Sequence, residues 1–170
     1  MGKDLIFKVC LLGYFGVGKT SLVYRWIENR FSQDFKSTLG VNLLKKNLMI
    51  DGNSVSVQIW DLGGQDSFQS LRKLYIEGAQ GALAVFDVTS SVSFEKLNQW
   101  VKDFKAQRPN APILLIGNKI DLSDSRAVSE EEAISYAKEN EMELLFTSAK
   151  TGHQVEDAFQ RLIKTIMGGV

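Results

Sequence analysis

The chain has 170 residues, 20 Lys plus Arg against 20 Asp plus Glu, 44% hydrophobic residues and one cysteine. That length suits a single domain spanning 1–170, which buries about 70% of its extended-chain surface without staples. The balanced charge gives no field to hold nucleic acid or an anionic membrane, and a lone Cys10 excludes an internal disulfide.

The first predicted element is the apolar strand Leu5–Leu12, with Cys10 inside it as a small buried hydrophobe. It runs into Gly13-Tyr14-Phe15-Gly16-Val17-Gly18-Lys19-Thr20, a full match to Gly-x4-Gly-Lys-[Ser/Thr], and then into a helical run from Ser21 to Ile27. A strand that passes to a helix through such a loop aims several backbone N–H groups and the positive helix end at one spot. Glycines let the backbone close around a polyphosphate, Lys19 brings a charge to the β and γ phosphates, and the Thr20 hydroxyl suits Mg²⁺. Gly13, Phe15, Gly16, Val17, Gly18, Lys19, Thr20 and Ser21 are therefore candidate nucleotide contacts.

Phe31 to Gly40 is a polar stretch without period, and Val41–Ile50 and Ser54–Trp60 are strand-like runs joined by the hairpin signal Asp51-Gly52-Asn53. Ala82–Phe86 and Ile113–Ile116 are short unbroken apolar runs, as expected of central strands buried on both faces. Helical patterns follow them, from Ser93 to Lys105 and from Glu130 to Asn140. Ser90 or Ser91 is a candidate cap for the first, and Ser129 with Glu132 forms a capping box for the second. A last strand, Glu143 to Phe146, leads to an amphipathic helix from Val155 to Met167. The order β-α-β-β-α-β-α-β-α-β-α predicts an α/β fold: a mostly parallel six-stranded sheet, one antiparallel hairpin at its edge, and helices on both faces.

Ligands of such sheets bind beyond the carboxyl ends of the strands, and the remaining motifs fall there. Asp61, in Trp60-Asp61-Leu62-Gly63-Gly64-Gln65-Asp66, is placed to hold Mg²⁺ through water. Gly64 offers a backbone N–H to a γ-phosphate. Gln65 can both accept from and donate to an attacking water, although a solvated loop glutamine has the same look. In Asn118-Lys119-Ile120-Asp121, the Asp121 carboxylate can take the two donors of guanine, which adenine lacks. Lys119 can lie along the base, Asn118 can tie this loop to the phosphate loop, and Thr147-Ser148-Ala149-Lys150 can offer a backbone N–H to guanine O6.

Together these motifs resemble the Ras superfamily of small GTPases over essentially the whole chain, most closely its Rab/Ras group. The resemblance implies the G-domain version of the P-loop NTPase fold and a guanine-nucleotide switch that hydrolyses GTP slowly with Mg²⁺. It implies Gln65, Lys19 and Gly64 as catalytic groups, Thr20, Thr38 and (via water) Asp61 as Mg²⁺ ligands, and Phe31, Phe35, Ser148, Ala149 and Lys150 as further nucleotide contacts. Thr38-Leu39-Gly40-Val41 is similar to the first switch motif. Effectors, exchange factors and GTPase-activating proteins would read switch I, about 31–41, and switch II, about 62–77. Leu43, Trp60 and Tyr75 match the positions of an effector-facing aromatic trio in Rab proteins, with Leu43 replacing the usual phenylalanine, while packing of Trp60 against its own sheet is the alternative.

Three departures stand out. Asp61-Leu62-Gly63-Gly64-Gln65 resembles the Arf pattern rather than the Asp-Thr-Ala-Gly-Gln of Rab and Ras. Phe15 stands where many relatives carry a small residue. It either crowds Gln65, which would leave a GTP-binding module with little hydrolysis, or swings outward onto Tyr14 or switch II. Finally, Ile6 breaks the myristoylation pattern and Met167-Gly168-Gly169-Val170 offers no cysteine for prenylation. With no lipid anchor and no export signal, the expectation is a cytoplasmic protein that meets membranes only through a partner or a tail outside this sequence. A nucleotide kinase shares the phosphate loop but needs an arginine-rich lid, and no such stretch is visible.

Overall fold

The computed structural model describes residues 2–32, 41–63 and 71–169. In chain order the elements are β1 (Asp4–Leu12), α1 (Lys19–Glu28), β2 (Val41–Ile50), β3 (Asn53–Leu62), α2 (Arg72–Ile76) and β4 (Gly81–Asp87). Then come α3 (Ser91–Gln107), β5 (Ile113–Asn118), a 3-10 turn over Ile120–Ser125, α4 (Glu130–Glu139), β6 (Glu143–Phe146) and α5 (Val155–Gly168).

The six strands form one sheet of order β2-β3-β1-β4-β5-β6. β2 and β3 are antiparallel, and every other pairing is parallel. The hairpin closes with Ile50 opposite Asn53, and its central residues Asp51 and Gly52 have φ of 49° and 80°, the left-handed pair that two-residue hairpins need. After β1 the chain adds β3 and β2 on one side, then β4, β5 and β6 on the other. The topological switch point therefore lies at the carboxyl end of β1, where the glycine-rich loop begins.

Alternation along the central strands divides the core between the two faces of the sheet. Phe7, Val9, Leu11, Leu83, Val85, Leu114 and Ile116 point to one face, where α1 and α5 cover them with Leu22, Val23, Trp26, Phe159, Leu162 and Ile163. Trp26 stacks on Phe159 with ring centroids 4.2 Å apart, which pins α1 to α5. Cys10, Leu12, Ala82, Ala84, Phe86 and Leu115 point to the other face, beneath Tyr75 and Ile76 of α2, Leu97, Trp100 and Phe104 of α3, and Ala133 and Ala137 of α4. The Cys10 thiol is buried and its pKa is pushed up to about 12 by that burial, so it behaves as the apolar residue its position suggested.

The expected elements are all present, and most of those whose ends differ run a residue or two longer. β3 continues through Asp61 to Leu62 and β5 continues to Asn118, so two of the functional side chains project from the last turns of strands rather than from loops. α1 starts at Lys19, two residues ahead of the expected Ser21, because Gly18 ends the loop in the left-handed conformation. α3 starts at Ser91 with the Ser90 hydroxyl accepting from Ser93 N–H, and α4 carries the full Ser129–Glu132 capping box.

Candidate nucleotide and magnesium site

The phosphate loop is shaped by contacts with its surroundings. A Cβ on Gly13 would lie 2.3 Å from the Val85 carbonyl oxygen, and one on Gly18 would lie 2.4 Å from Asn118 Nδ2. Both glycines also have positive φ, 143° and 99°, so neither position admits a side chain. Lys19 is buried and its ammonium curls over the loop, donating to the carbonyls of Gly13 at 2.7 Å and Tyr14 at 3.0 Å. Burial pulls its pKa down to about 8; Asp61 opposes that fall and Arg72 adds to it. A polyphosphate arriving at the first turn of α1, whose N–H groups have no intrahelical acceptors, would meet this charge.

Asp61 is fully buried and its Oδ2 accepts from the Thr20 hydroxyl at 2.5 Å. A carboxylate and a hydroxyl side by side are hard oxygen donors and fit Mg²⁺. Among the described residues no group of three or more His, Cys, Asp or Glu could hold a metal ion. Ser21 is half-buried in the first turn of α1. Phe15 is 45% exposed and lies against the Tyr14 ring at a centroid distance of 4.5 Å, the outward placement.

The guanine end is assembled around Asn118, which is 1% exposed. Its Nδ2 donates to the Val17 carbonyl at 3.0 Å, and its Oδ1 accepts from the Thr147 hydroxyl at 3.0 Å and Ala149 N–H at 3.3 Å. One amide thus joins the phosphate loop to the loop after β6. Lys119 Nζ donates to the Gly16 carbonyl at 2.7 Å, a second tie between the same regions. The Ser148 hydroxyl donates to Asp121 Oδ1 at 2.7 Å and accepts from Thr151 N–H at 3.1 Å, which orients a carboxylate that is itself exposed. Lys150 is exposed beside it.

Phe31 is half-buried and packs on the α1–α5 side of the core, while Phe35, Thr38, Gly64 and Gln65 lie outside the described residues. Of the three effector-facing positions, Leu43 is 58% exposed and pairs across the hairpin with Trp60, whose ring carries Lys8 Nζ 3.8 Å above it. Tyr75 is turned inward. Its hydroxyl donates to the Leu11 carbonyl at 2.6 Å, accepts from the N–H groups of Leu11 and Leu62, and also reaches the Trp60 carbonyl. Burial, together with the nearby Cys10 and Asp61, raises its pKa and keeps the phenol neutral.

Three supporting groups escape a motif reading. Arg25 on α1 donates to the carbonyls of Ala149 at 2.8 Å and Lys150 at 2.5 Å, clamping the loop after β6. Arg72 stacks over Trp100 at 3.8 Å and pairs with Asp103 at 3.0 Å. Asp87, at the end of β4, pairs with Lys119. Arg25 lies one helical turn beyond Ser21, the only local signal any of them gives.

A sheet of this order, with a glycine-rich phosphate loop at its switch point and a buried Asp61 bonded to Thr20 beside it, defines a P-loop nucleotide-binding G domain. The Ras family model matches residues 8–168, and the chain belongs to the Ras family. It is similar to the GTP-binding protein ypt3 of Schizosaccharomyces pombe, 40% identical over 164 residues, which is 96% of this chain and 77% of ypt3. It is 40% identical over 168 residues to human Ras-related protein Rab-4B, covering 98% of this chain and 79% of that one. With RABF2a of Arabidopsis thaliana it shares 41% identity over 165 residues, 96% of this chain and 82% of the relative. As a Rab-like member of this family, the protein is a GTP-binding molecular switch that hydrolyses GTP. Nothing in these likenesses supports a form without hydrolysis.

Proposed function

We propose that residues 1–170 act as one G domain in which the phosphate and guanine ends of the nucleotide are held by two side chains of the same strand end, Asn118 and Lys119. The bridge from Asn118 to Val17, Thr147 and Ala149 is the observation that carries this reading, because it fixes the phosphate loop and the loop after β6 against each other, as one ligand spanning both requires. Gly13 to Ser21 cradle the phosphates, with Lys19 charged against them. Asp121, aligned by Ser148, takes the two donors of guanine, and Ala149 N–H, which donates to Asn118 Oδ1 at 3.3 Å, is shared with O6. Lys150 and Phe31 border the base. Thr20, Thr38 and, through water, Asp61 would hold Mg²⁺, which would supply charge neutralisation at the phosphates. Gln65 orients the attacking water and Gly64 N–H meets the γ-phosphate, in the roles that phosphoryl-transfer switches require.

Effectors, exchange factors and activating proteins engage switch I and switch II. Among the described residues no helix is long and apolar enough to cross a membrane. We place the protein in the cytoplasm, reaching membranes through a partner or a lipidated tail. The test is single-turnover hydrolysis of bound GTP beside competition by ATP. The expected result is slow phosphate release that Gln65→Leu abolishes, and ATP binding at least about a hundredfold weaker, given that adenine would cover the Asp121 carboxylate without supplying its two donors. ATP binding as tight as GTP would overturn the assignment.

A further inference from the structure

At the end of β4 lies a carboxylate that none of the nucleotide motifs contains. Asp87 is 7% exposed, and every polar part of it is engaged. Its N–H donates to the Ser93 hydroxyl at 2.9 Å, and its Oδ1 accepts from Thr89 N–H at 2.8 Å and from the Thr89 hydroxyl at 2.7 Å. Its Oδ2 is left for Lys119 Nζ, 2.9 Å away. The same ammonium donates to the Gly16 carbonyl in the phosphate loop at 2.7 Å. Lys119 sits at φ 69°, a left-handed conformation that a lysine adopts only when its surroundings impose it.

We propose that Asp87 is a positioning residue for nucleotide retention. It holds Lys119 as a strap between the end of β4 and the phosphate loop, with the lysine stem fixed before the base arrives. The inference rests on the guanine site proposed above and extends it. A free lysine side chain carries substantial rotamer entropy that binding has to remove, and an anchored one has already lost it. Preorganisation of this kind appears mainly in the dissociation rate. The anchor is rigid because Asp87 is paired in register with Asn118, and Val88 N–H bonds to the Asn118 carbonyl at 3.0 Å. Lys119 therefore has its backbone fixed to the sheet and its ammonium on the phosphate loop.

The experiment is release of a fluorescent GDP analogue from the Mg²⁺-loaded protein, chased with excess GDP. Asp87→Asn keeps the shape and the bond to Thr89 and removes the charge. Release is expected to accelerate about tenfold, the scale of one charge-assisted hydrogen bond. Lys119→Met is measured alone and together with Asp87→Asn. In the Lys119→Met background the aspartate change should alter release by less than about twofold, because the strap is already cut. Equal acceleration in both backgrounds, or no acceleration by Asp87→Asn, overturns the proposal. Thr89→Val guards against a folding failure: it loosens Asp87 without touching the charge, and should speed release about threefold. Unchanged release by Thr89→Val counts against the strap. Asp121→Ala serves as the reference for the guanine site. Faster release in that variant beside unchanged release in Asp87→Asn removes the strap alone, whereas no effect of Asp121→Ala removes the guanine site as well.

Discussion

Replacing Asn118 with alanine tests the idea that one amide holds the site together. The side chain makes three hydrogen bonds, to the Val17 carbonyl, the Thr147 hydroxyl and Ala149 N–H, and all three partners are buried. Each neutral bond contributes about 1 kcal/mol net, and a partner left unpaired in the interior raises the loss. The sum is about 3 kcal/mol, which for a domain of this size lowers the melting temperature by about 6–12 °C. The loss is distributed unevenly. The bond to Val17 is the only one of the three that reaches the phosphate loop, so Asn118→Ala should also speed GDP release by about tenfold. Thr147→Val removes a single bond that does not touch that loop; it should cost about 1 kcal/mol of stability and leave release nearly unchanged. The assay is thermal unfolding of the GDP-loaded protein, followed by circular dichroism, with release measured in parallel. An Asn118→Ala protein that melts within about 2 °C of the parent, and releases GDP at the parent rate, would refute the reasoning.

Lys19 makes nucleotide affinity depend on pH in a defined direction. With its pKa lowered to about 8 by burial, the nucleotide-free protein loses this proton as pH passes that value, while the phosphates hold the ammonium charged in the complex. Affinity is therefore level below about pH 8 and weakens toward tenfold per pH unit above it. Competition binding against Lys19→Arg, which stays protonated, isolates this slope from titration of the base; parallel curves would contradict it. Phe15→Ala should leave single-turnover hydrolysis within about twofold of the parent, since the ring sits outward on Tyr14, and a tenfold rise would show that it obstructs the site. Gly117→Ala should lower the urea midpoint by an amount equivalent to about 1–3 kcal/mol. Its Cβ would stand 2.7 Å from one Phe146 ring atom and 2.9 Å from Phe86, and an unchanged midpoint would mean that the rings move aside freely.

The layout of the sheet was legible because its signals are local. Unbroken apolar runs mark β4 and β5, Asp51-Gly52 marks the hairpin, and Ser129 with Glu132 marks the start of α4. The phosphate loop and the Asn118–Asp121 motif were legible for a different reason: each packs its chemistry into consecutive residues. What stayed hidden depends on contacts between distant segments. Asp87 and Lys119 are brought together by the pairing of β4 with β5, and Arg25 meets Ala149 across 124 positions of chain. Tyr75 matches an effector-facing position in the sequence, whereas its hydroxyl finds backbone partners on two strands that no periodicity reveals. The strand ends read short for a related reason: Asp61 and Asn118 are polar, and their burial in strands is stabilised by partners far along the chain.

The inward Tyr75 also bears on how a partner could act. Its phenol plugs the cleft where β1 and β3 part company, bonded to Leu11 two residues before the phosphate loop begins. A protein that pries α2 outward must draw that plug, and the backbone groups it leaves behind belong to the stem of the loop. Force applied to one short helix is delivered by this route to the root of the phosphate grip, without passing through the bound nucleotide.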